Sequence, residues 1–221
     1  MNSDNRWDNL KSQFLVWEQE YSHVKWGGPR SIEMVSSIIP PECKILDAGC
    51  GNGRHLLPLS KLYNVTGIEL SPTALKNAKS YIEKNNRCAH YCVSTTTHLP
   101  FYDKSFNGVL CLGVLQHLYE NERLLTVSEF SRVLVPGGFL FFEAFGVDDM
   151  RYGKGDNTNP EENTFIRNKG IIYHYFTRDE VKLLLEKYRF QISDIRDMKT
   201  EKKFKGERYT RHMIHAVAQK V

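Results

Sequence analysis

Between residues 44 and 144 the chain alternates short apolar runs with longer amphipathic ones, and that alternation predicts most of the fold. Apolar runs predict strands at 44–47, at Val65-Thr66-Gly67-Ile68 and near 90–94. Helical periodicity predicts helices near 53–62 and over 72–84, the latter opened by Ser71-Pro72. Serine before a proline at the first helical position is a helix start, because that position has no N–H bond to lose. The second half continues with a strand at 107–112, a helix near 120–134, the turn Pro136-Gly137-Gly138 and the strand Phe139-Leu140-Phe141-Phe142-Glu143-Ala144. Repeated strand–helix alternation implies a parallel sheet covered by helices on both faces.

The flanks read differently. Residues 6–38 carry helical periodicity, with Trp7, Leu10, Phe14 and Trp17 as an apolar stripe, up to a break at Trp26-Gly27-Gly28-Pro29. These aromatics either glue the segment to the body of the fold or bring Tyr21 or Trp26 over a ligand. Residues 147–172 are rich in Gly, Asn, Asp and Glu and lack periodicity, as expected of an inserted loop. A helix at 178–188, with Val181, Leu184, Leu185 and Tyr188 on one face, precedes strands at 190–195 and 211–218. The predicted turn between those strands carries Lys199, Lys202, Lys203, Lys205 and Arg208.

The stretch with most chemistry is Asp47-Ala48-Gly49-Cys50-Gly51-Asn52-Gly53, where an apolar strand ends in an acid and three glycines alternate. Glycine permits positive φ and lets a ligand lie against main chain without meeting a Cβ. A dinucleotide loop would read Gly-x-Gly-x-x-Gly, but here the third glycine arrives one residue early and Arg54 takes its place. Asp47 would repel a pyrophosphate, yet suits an ammonium group, which points to S-adenosyl-L-methionine. The segment resembles motif I of the class I S-adenosylmethionine-dependent methyltransferases, in the ubiquinone-biosynthesis-like, type 11 branch. The resemblance spans roughly residues 40–145 and includes Leu99-Pro100-Phe101, Ser105-Phe106-Asn107-Gly108-Val109, Gly113-Val114-Leu115-Gln116-His117 and Leu134-Val135-Pro136-Gly137-Gly138.

That resemblance implies an α/β fold of the Rossmann-like, doubly wound kind, with seven strands, mostly parallel, an antiparallel C-terminal strand and an N-terminal helical cap. It divides one domain, 1–221, into a cap at 1–38, a cofactor-binding core at 40–146, an insertion or lid at 147–177, and a C-terminal helix with hairpin strands at 178–221. The cofactor-binding set is Asp47, Gly49, Cys50, Gly51, Asn52, Gly53, Glu69, Leu70, Thr95, Thr96, Leu112 and Gly113. Glu69 stands 22 residues after Asp47, where the family's ribose-binding acid sits. Two departures stand out: Thr95 where an acid usually holds the adenine amino group, and Asn107 where the family has aspartate.

Composition narrows the setting. With 221 residues and 41% apolar content the chain can bury a core without disulfides or metals. A formal charge of +4 is too mild to imply nucleic acid by itself. No signal-peptide pattern or membrane-spanning run is present, so a cytoplasmic protein without membrane partners is expected, as monomer or homodimer. The odd set Cys43, Cys50, Cys88, Cys92 and Cys111 reads as reduced thiols, and Cys88-x-His90-x-Cys92 lacks the second ligand pair of a zinc site.

For methyl transfer the main task is alignment, and a general base matters only when the acceptor holds its proton tightly. The catalytic candidates are His117, His174 within Tyr173-His174-Tyr175-Phe176, and Glu143, with no metal. The chain lacks an Asn-Pro-Pro-Tyr/Phe segment and a Pro-Cys nucleophile, which disfavours two known nucleic-acid chemistries. A small-molecule acceptor under a lid is therefore the first expectation. RNA is the competing one, with the basic turn tracking phosphates, and a non-catalytic S-adenosylmethionine-binding protein the third.

Overall fold

The computed structural model describes residues 3–23, 28–156, 161–167, 170–204 and 206–221. In chain order the elements are α1 (Ser3–His23), α2 (Glu33–Ser36), β1 (Lys44–Ala48), α3 (Leu56–Leu59), β2 (Asn64–Glu69), α4 (Pro72–Lys84), β3 (His90–Val93) and β4 (Phe106–Leu112). A single 3₁₀ turn at Leu115–His117 precedes α5 (Glu120–Val133), β5 (Leu134–Phe145), β6 (Thr164–Arg167), β7 (Ile171–His174), α6 (Arg178–Lys187), β8 (Phe190–Phe204) and β9 (Glu207–Lys220). Among the described residues the main sheet has seven strands in the order β3-β2-β1-β4-β5-β9-β8. The first five run parallel, while β9 is antiparallel to both β5 and β8. The parallel part is what the alternation implied, and the mixed, Rossmann-like sheet as a whole is what the resemblance implied.

Period-two alternation explains the two cores. Leu46 and Phe142 pack into one cluster with Phe130 and Val181, while their neighbours Ile45 and Phe141 pack into the other with Leu56 and Ile82. Both faces are covered, so β1 is buried at every position after Lys44. Helix α4 follows its sequence signals closely. Ser71 Oγ accepts from Ala74 N at 3.1 Å, Pro72 opens the helix, and Ala74, Leu75, Ala78 and Ile82 form its buried stripe. Full burial of a large apolar side chain contributes about 1.5–3 kcal/mol, so these stripes carry the docking of each helix.

Four expectations need correction. The helix expected at 53–62 shrinks to four residues because Pro58 has no N–H to give Arg54 O, which accepts instead from Arg30 N at 3.1 Å. Helix 6–38 is two helices, and its expected break at 26–29 falls partly outside the described residues, as does Trp26. Likewise, the side chains of Trp7 and Leu10 lie outside the described set. The insertion at 147–172 is not all loop, since β6 and β7 form an antiparallel hairpin within and just beyond it. Finally, the basic turn is mostly strand: β8 and β9 pair without a break from Met198↔Met213 to Phe204↔Glu207, and Lys205 lies outside the described residues. Among the described residues no helix is long and apolar enough to cross a membrane. No group of three or more His, Cys, Asp or Glu residues there is placed to share a metal ion.

Candidate cofactor and acceptor cleft

The carboxyl ends of β1, β2, β4 and β5 open into a cleft with two lobes, where ligands bind in open α/β sheets. The inner lobe, about 120 Å³, is mostly apolar and lined by Leu70, Leu112, Val114 and Leu118, with Glu69, Ser94, Thr95 and Thr96 at its polar side. The outer lobe, about 430 Å³, is polar and reaches Arg30, Arg54, Glu143, Arg151, Lys202 and Arg211. Trp17, Tyr21, Gly49, Leu112, Gly113 and His117 line both, so the lobes meet beneath α1.

The glycine loop divides its work. Gly49, Gly51 and Gly53 all have positive φ, at 74°, 52° and 88°. A Cβ on Gly49 would stand 2.5 Å from Val114 Cγ2, and one on Gly51 would stand 2.6 Å from the Tyr21 hydroxyl. Gly53 lines neither lobe; a Cβ there would press on Ala78 of α4 at 3.2 Å. Two glycines therefore shape the cleft and the third lets a helix pack close. Tyr21 is brought over the loop by α1, which is latched to the start of α4. Glu18 accepts from Ser71 Oγ, from Thr73 Oγ1 and from Thr73 N at 3.2 Å.

Under the loop sit two buried acids. Glu69 accepts from Gly51 N at 3.0 Å, Leu70 N at 2.7 Å and Ser71 N at 3.0 Å, binding the loop to the end of β2. Asp47 is 2% exposed, and its Oδ2 has no hydrogen-bond partner. Burial, with the charge of Glu69 added, pushes its carboxyl up to about 7. The inner lobe holds a second orphan acceptor, Gln13 Oε1. A ligand carrying both donors and positive charge fits this arrangement.

Comparison with known proteins agrees. Residues 46–142 match the family model described as "Methyltransferase domain". A tRNA N(3)-cytidine methyltransferase METTL2 of Danio rerio is 30% identical over 150 residues, covering 62% of this chain and 42% of that relative. The O-methyltransferase rstn1 of Aspergillus nomiae is 29% identical over 161 residues, 70% of this chain and 68% of that one. A crystal structure of a SAM-dependent methyltransferase from Methanosarcina mazei superposes with a TM-score of 0.76 at 27% identity, covering 87% of this chain and 99% of that one. The chain holds a methyltransferase domain, with the fold of the class I SAM-dependent methyltransferases. It spans about two fifths of the length of the METTL2 relatives it matches.

S-adenosylmethionine is the cofactor of this methyltransferase family, and the residues present fit it. Its cationic end suits the orphan Asp47, its ribose hydroxyls suit Glu69, and its base suits the apolar walls with Gln13 and Thr95. A carboxylate offers about four lone-pair sites, so Glu69 keeps capacity beyond its three backbone bonds. Thr95 Oγ1 lies 3.0 Å from Thr97 Oγ1 and Thr96 Oγ1 lies 3.0 Å from Thr126 Oγ1, so both hydroxyls are held in fixed positions. Cys50 and Asn52 line the outer lobe. The unusual Asn107 is remote, its Oδ1 accepting from Lys44 N at 3.0 Å at the opposite ends of β1 and β4.

The catalytic candidates part company. His117 lies at the junction of the lobes, edge-on to Trp17 and Tyr173 with ring centroids 4.9 and 5.0 Å away. Phe145 N donates to Gln116 Oε1 at 2.9 Å, which turns the Gln116 amide nitrogen toward His117 Nε2 at 3.2 Å. That network assigns the proton to His117 Nδ1, 2.6 Å from Ile172 O. Burial drives the ring down to about 4, so it is neutral. Glu143 lines the outer lobe and meets His215 Nε2 at 3.0 Å and Arg30 Nη1 at 3.5 Å. Burial pushes its carboxyl upward, but His215, Arg30 and His55 outweigh that and keep it below the usual range. His174 lines neither lobe; it is 3% exposed, with Nδ1 2.8 Å from Thr164 Oγ1 and Nε2 2.8 Å from Glu180 Oε1. Sequence reasoning missed Gln13, Arg30, Asp149 and Arg151, none of which sits in a recognisable motif; Arg54 follows the glycine loop but was read only as standing in place of a glycine, and Arg211 was read only as the end of the basic run. The basic run was a signal, but β-pairing turns only alternate residues of it, Thr200 and Lys202, toward the cleft.

Proposed function

We propose that this methyltransferase acts on a nucleotide of RNA, received in the outer lobe. The observation that carries the reading is the lobe's lining: Arg30, Arg54, Arg151, Lys202 and Arg211 share it with the aromatic residues Phe145 and Tyr173. Cations for phosphate and flat rings for a base are the two requirements of an unpaired nucleotide. The relative named as a tRNA N(3)-cytidine methyltransferase supports the same class of acceptor.

The cofactor, when bound, supplies a methyl group on a sulfonium, so alignment dominates the residues' task. In this reading Asp47 and Glu69 hold the cofactor through charge and hydrogen bonds, while Trp17 and Tyr21 exclude water from above. His117 is a neutral wall, its Nε2 lone pair already turned to Gln116. Glu143 stays anionic and orders Arg30 and His215. His174 fastens the β7 end to α6 through Glu180. Helix α1 and the described residues between 147 and 177 together act as the lid.

A small-molecule acceptor is the second reading, favoured by the lobe's volume, which falls in the ~300–1,000 Å³ range of small-ligand sites. S-adenosylhomocysteine release, followed against small RNAs and against the desalted small-molecule fraction of the source cell, separates the two. The RNA reading expects turnover with RNA whose affinity falls steeply with salt. Turnover with small molecules alone would overturn it.

A further inference from the structure

Asp149 is an unusual residue to find beside the outer lobe. Its side chain has no solvent exposure, which is costly for a charge unless its lone pairs all find donors. They do: Oδ1 accepts from Arg151 N at 3.1 Å and Arg151 Nε at 2.8 Å, while Oδ2 accepts from Arg211 Nε at 2.8 Å and His212 N at 3.2 Å. One buried carboxylate thus grips two guanidinium groups by their Nε edges. The Arg151 guanidinium also lies 4.0 Å above the Phe145 ring, and Arg211 stands 6.0 Å from the same ring. Both arginines line the outer lobe, as does Lys202.

The fork is more than a brace. Arg151 Nη2 is buried and has no acceptor, an uncompensated donor at the wall of a cleft. One carboxylate set against two arginines and Lys202 leaves an excess of positive charge. Two carboxylates line the lobe itself, Glu143, committed to Arg30 and His215, and Glu20, so with Asp149 they are still outnumbered by Arg30, Arg54, Arg151, Lys202 and Arg211. Guanidinium groups fixed in orientation are suited to planar or tetrahedral oxyanions, which they bind through paired N–H donors.

We propose that Arg151 and Arg211, oriented by Asp149, form an oxyanion subsite that receives a phosphate or carboxylate group of the methyl acceptor. The subsite rests on the reading of the outer lobe as the acceptor's place. Asp149 is a positioning residue, Arg151 and Arg211 are the binding ones, and Lys202 adds charge at the rim. An acceptor lacking the anion would then lose affinity even if its reacting atom were unchanged.

The test uses the full chain saturated with S-adenosylhomocysteine and two probe pairs differing only in the anion: uridine 5′-monophosphate against uridine, and benzoate against benzamide. Calorimetry should give the anionic member of at least one pair about tenfold tighter binding, the scale of one charge-assisted bond. Which pair responds distinguishes phosphate from carboxylate. Arg151→Gln and Arg211→Gln should each erase the preference with S-adenosylhomocysteine affinity retained, and Arg211→Lys should restore part of it. Lys202→Gln, on an exposed strand residue, should lower it by about twofold and guards against misfolding of the arginine variants. Equal binding within both pairs, or a preference that survives both glutamine variants, overturns the subsite. A purely structural fork would lower the melting temperature in those variants and leave the preference intact. An intact preference without RNA turnover would retain the subsite and sink the RNA reading; RNA turnover without a preference would do the reverse.

Discussion

The two lobes of the cleft are built by opposite strategies. Apart from α1, the inner lobe is assembled between Gly49 and Glu122, from the ends of successive parallel strands and the turns after them. The outer lobe draws on Arg30, the glycine loop, Phe145, Arg151, Tyr173, Thr200, Lys202, Arg211 and Met213, from segments that only tertiary packing brings together. A lobe of the first kind is fixed by backbone geometry, and there substitutions should act through strain. A lobe of the second kind is fixed by side-chain pairing, as the Asp149 fork illustrates, and substitutions there should act through charge and shape.

The sharpest way to break this contrast is at the glycines. Gly49→Ala meets both a φ of 74° and a Cβ 2.5 Å from Val114 Cγ2, so the β1–β2 end of the cleft must shift. Left-handed strain alone is about 1–3 kcal/mol. Cofactor affinity by calorimetry should fall about a hundredfold or more. Gly51→Ala should be nearly as severe, but there part of the obstruction is the Tyr21 hydroxyl at 2.6 Å. Adding Tyr21→Phe should recover a measurable fraction, leaving the strain of a φ of 52°. No recovery would mean that α1 does not close on the loop.

A middle-sized effect is expected at Asp47. Its carboxyl rises to about 7 in the folded chain because of burial and Glu69, against an ordinary value near 4 when unfolded. Between those values the folded chain holds a proton that the unfolded chain has lost, so stability contributed here falls as pH rises through that window. A cationic cofactor reverses the preference and expels the proton. Affinity should therefore be about tenfold weaker at pH 6 than at pH 8, with proton release detectable as buffer-dependent enthalpy. Asp47→Asn should remove the pH dependence, weaken binding at pH 8, and raise the apo melting temperature there. An unchanged pH profile in the variant would remove Asp47 from the cofactor's electrostatics.

The contrast also explains what could be read before any fold was known. Strand ends and turns are local, so Asp47, the glycine loop and Glu69 were legible from spacing, and Ser71-Pro72 marked α4 to the residue. Three of the four corrections arose where a segment's hydrogen-bond partner, near or far along the chain, decides. Pro58 leaves the carbonyl of Arg54 vacant and Arg30, 24 residues upstream, takes it, so α3 starts late, at Leu56. The β6–β7 hairpin, Thr164-Phe165-Ile166-Arg167 paired with Ile171-Ile172-Tyr173-His174, was hidden by the polar stretch that precedes it, and the β8–β9 ladder by lysines that read as a turn. Arg151 and Arg211 belong to no motif because a carboxylate buried in tertiary packing, not a sequence spacing, makes them a pair.

The smallest expected effect lies at His117, one of the residues both lobes share. A general base contributes about 10²–10⁴-fold to rate, and should sit with a pKa near the working pH. His117 has neither the free lone pair nor the pKa: Gln116 is turned to Nε2, Ile172 O takes the Nδ1 proton, and burial holds the ring at about 4. His117→Asn keeps polarity while removing the ring that meets Trp17 and Tyr173. Its kcat should fall by less than about tenfold, below the range of a lost base, and the acid limb of the kcat/KM profile should not move between pH 6 and 8. A loss of about a thousandfold, together with disappearance of that limb, would return His117 to proton transfer. The outer lobe would then do chemistry through a strand-end residue, and the division between a strain-fixed lobe and a charge-fixed one would no longer hold at their junction.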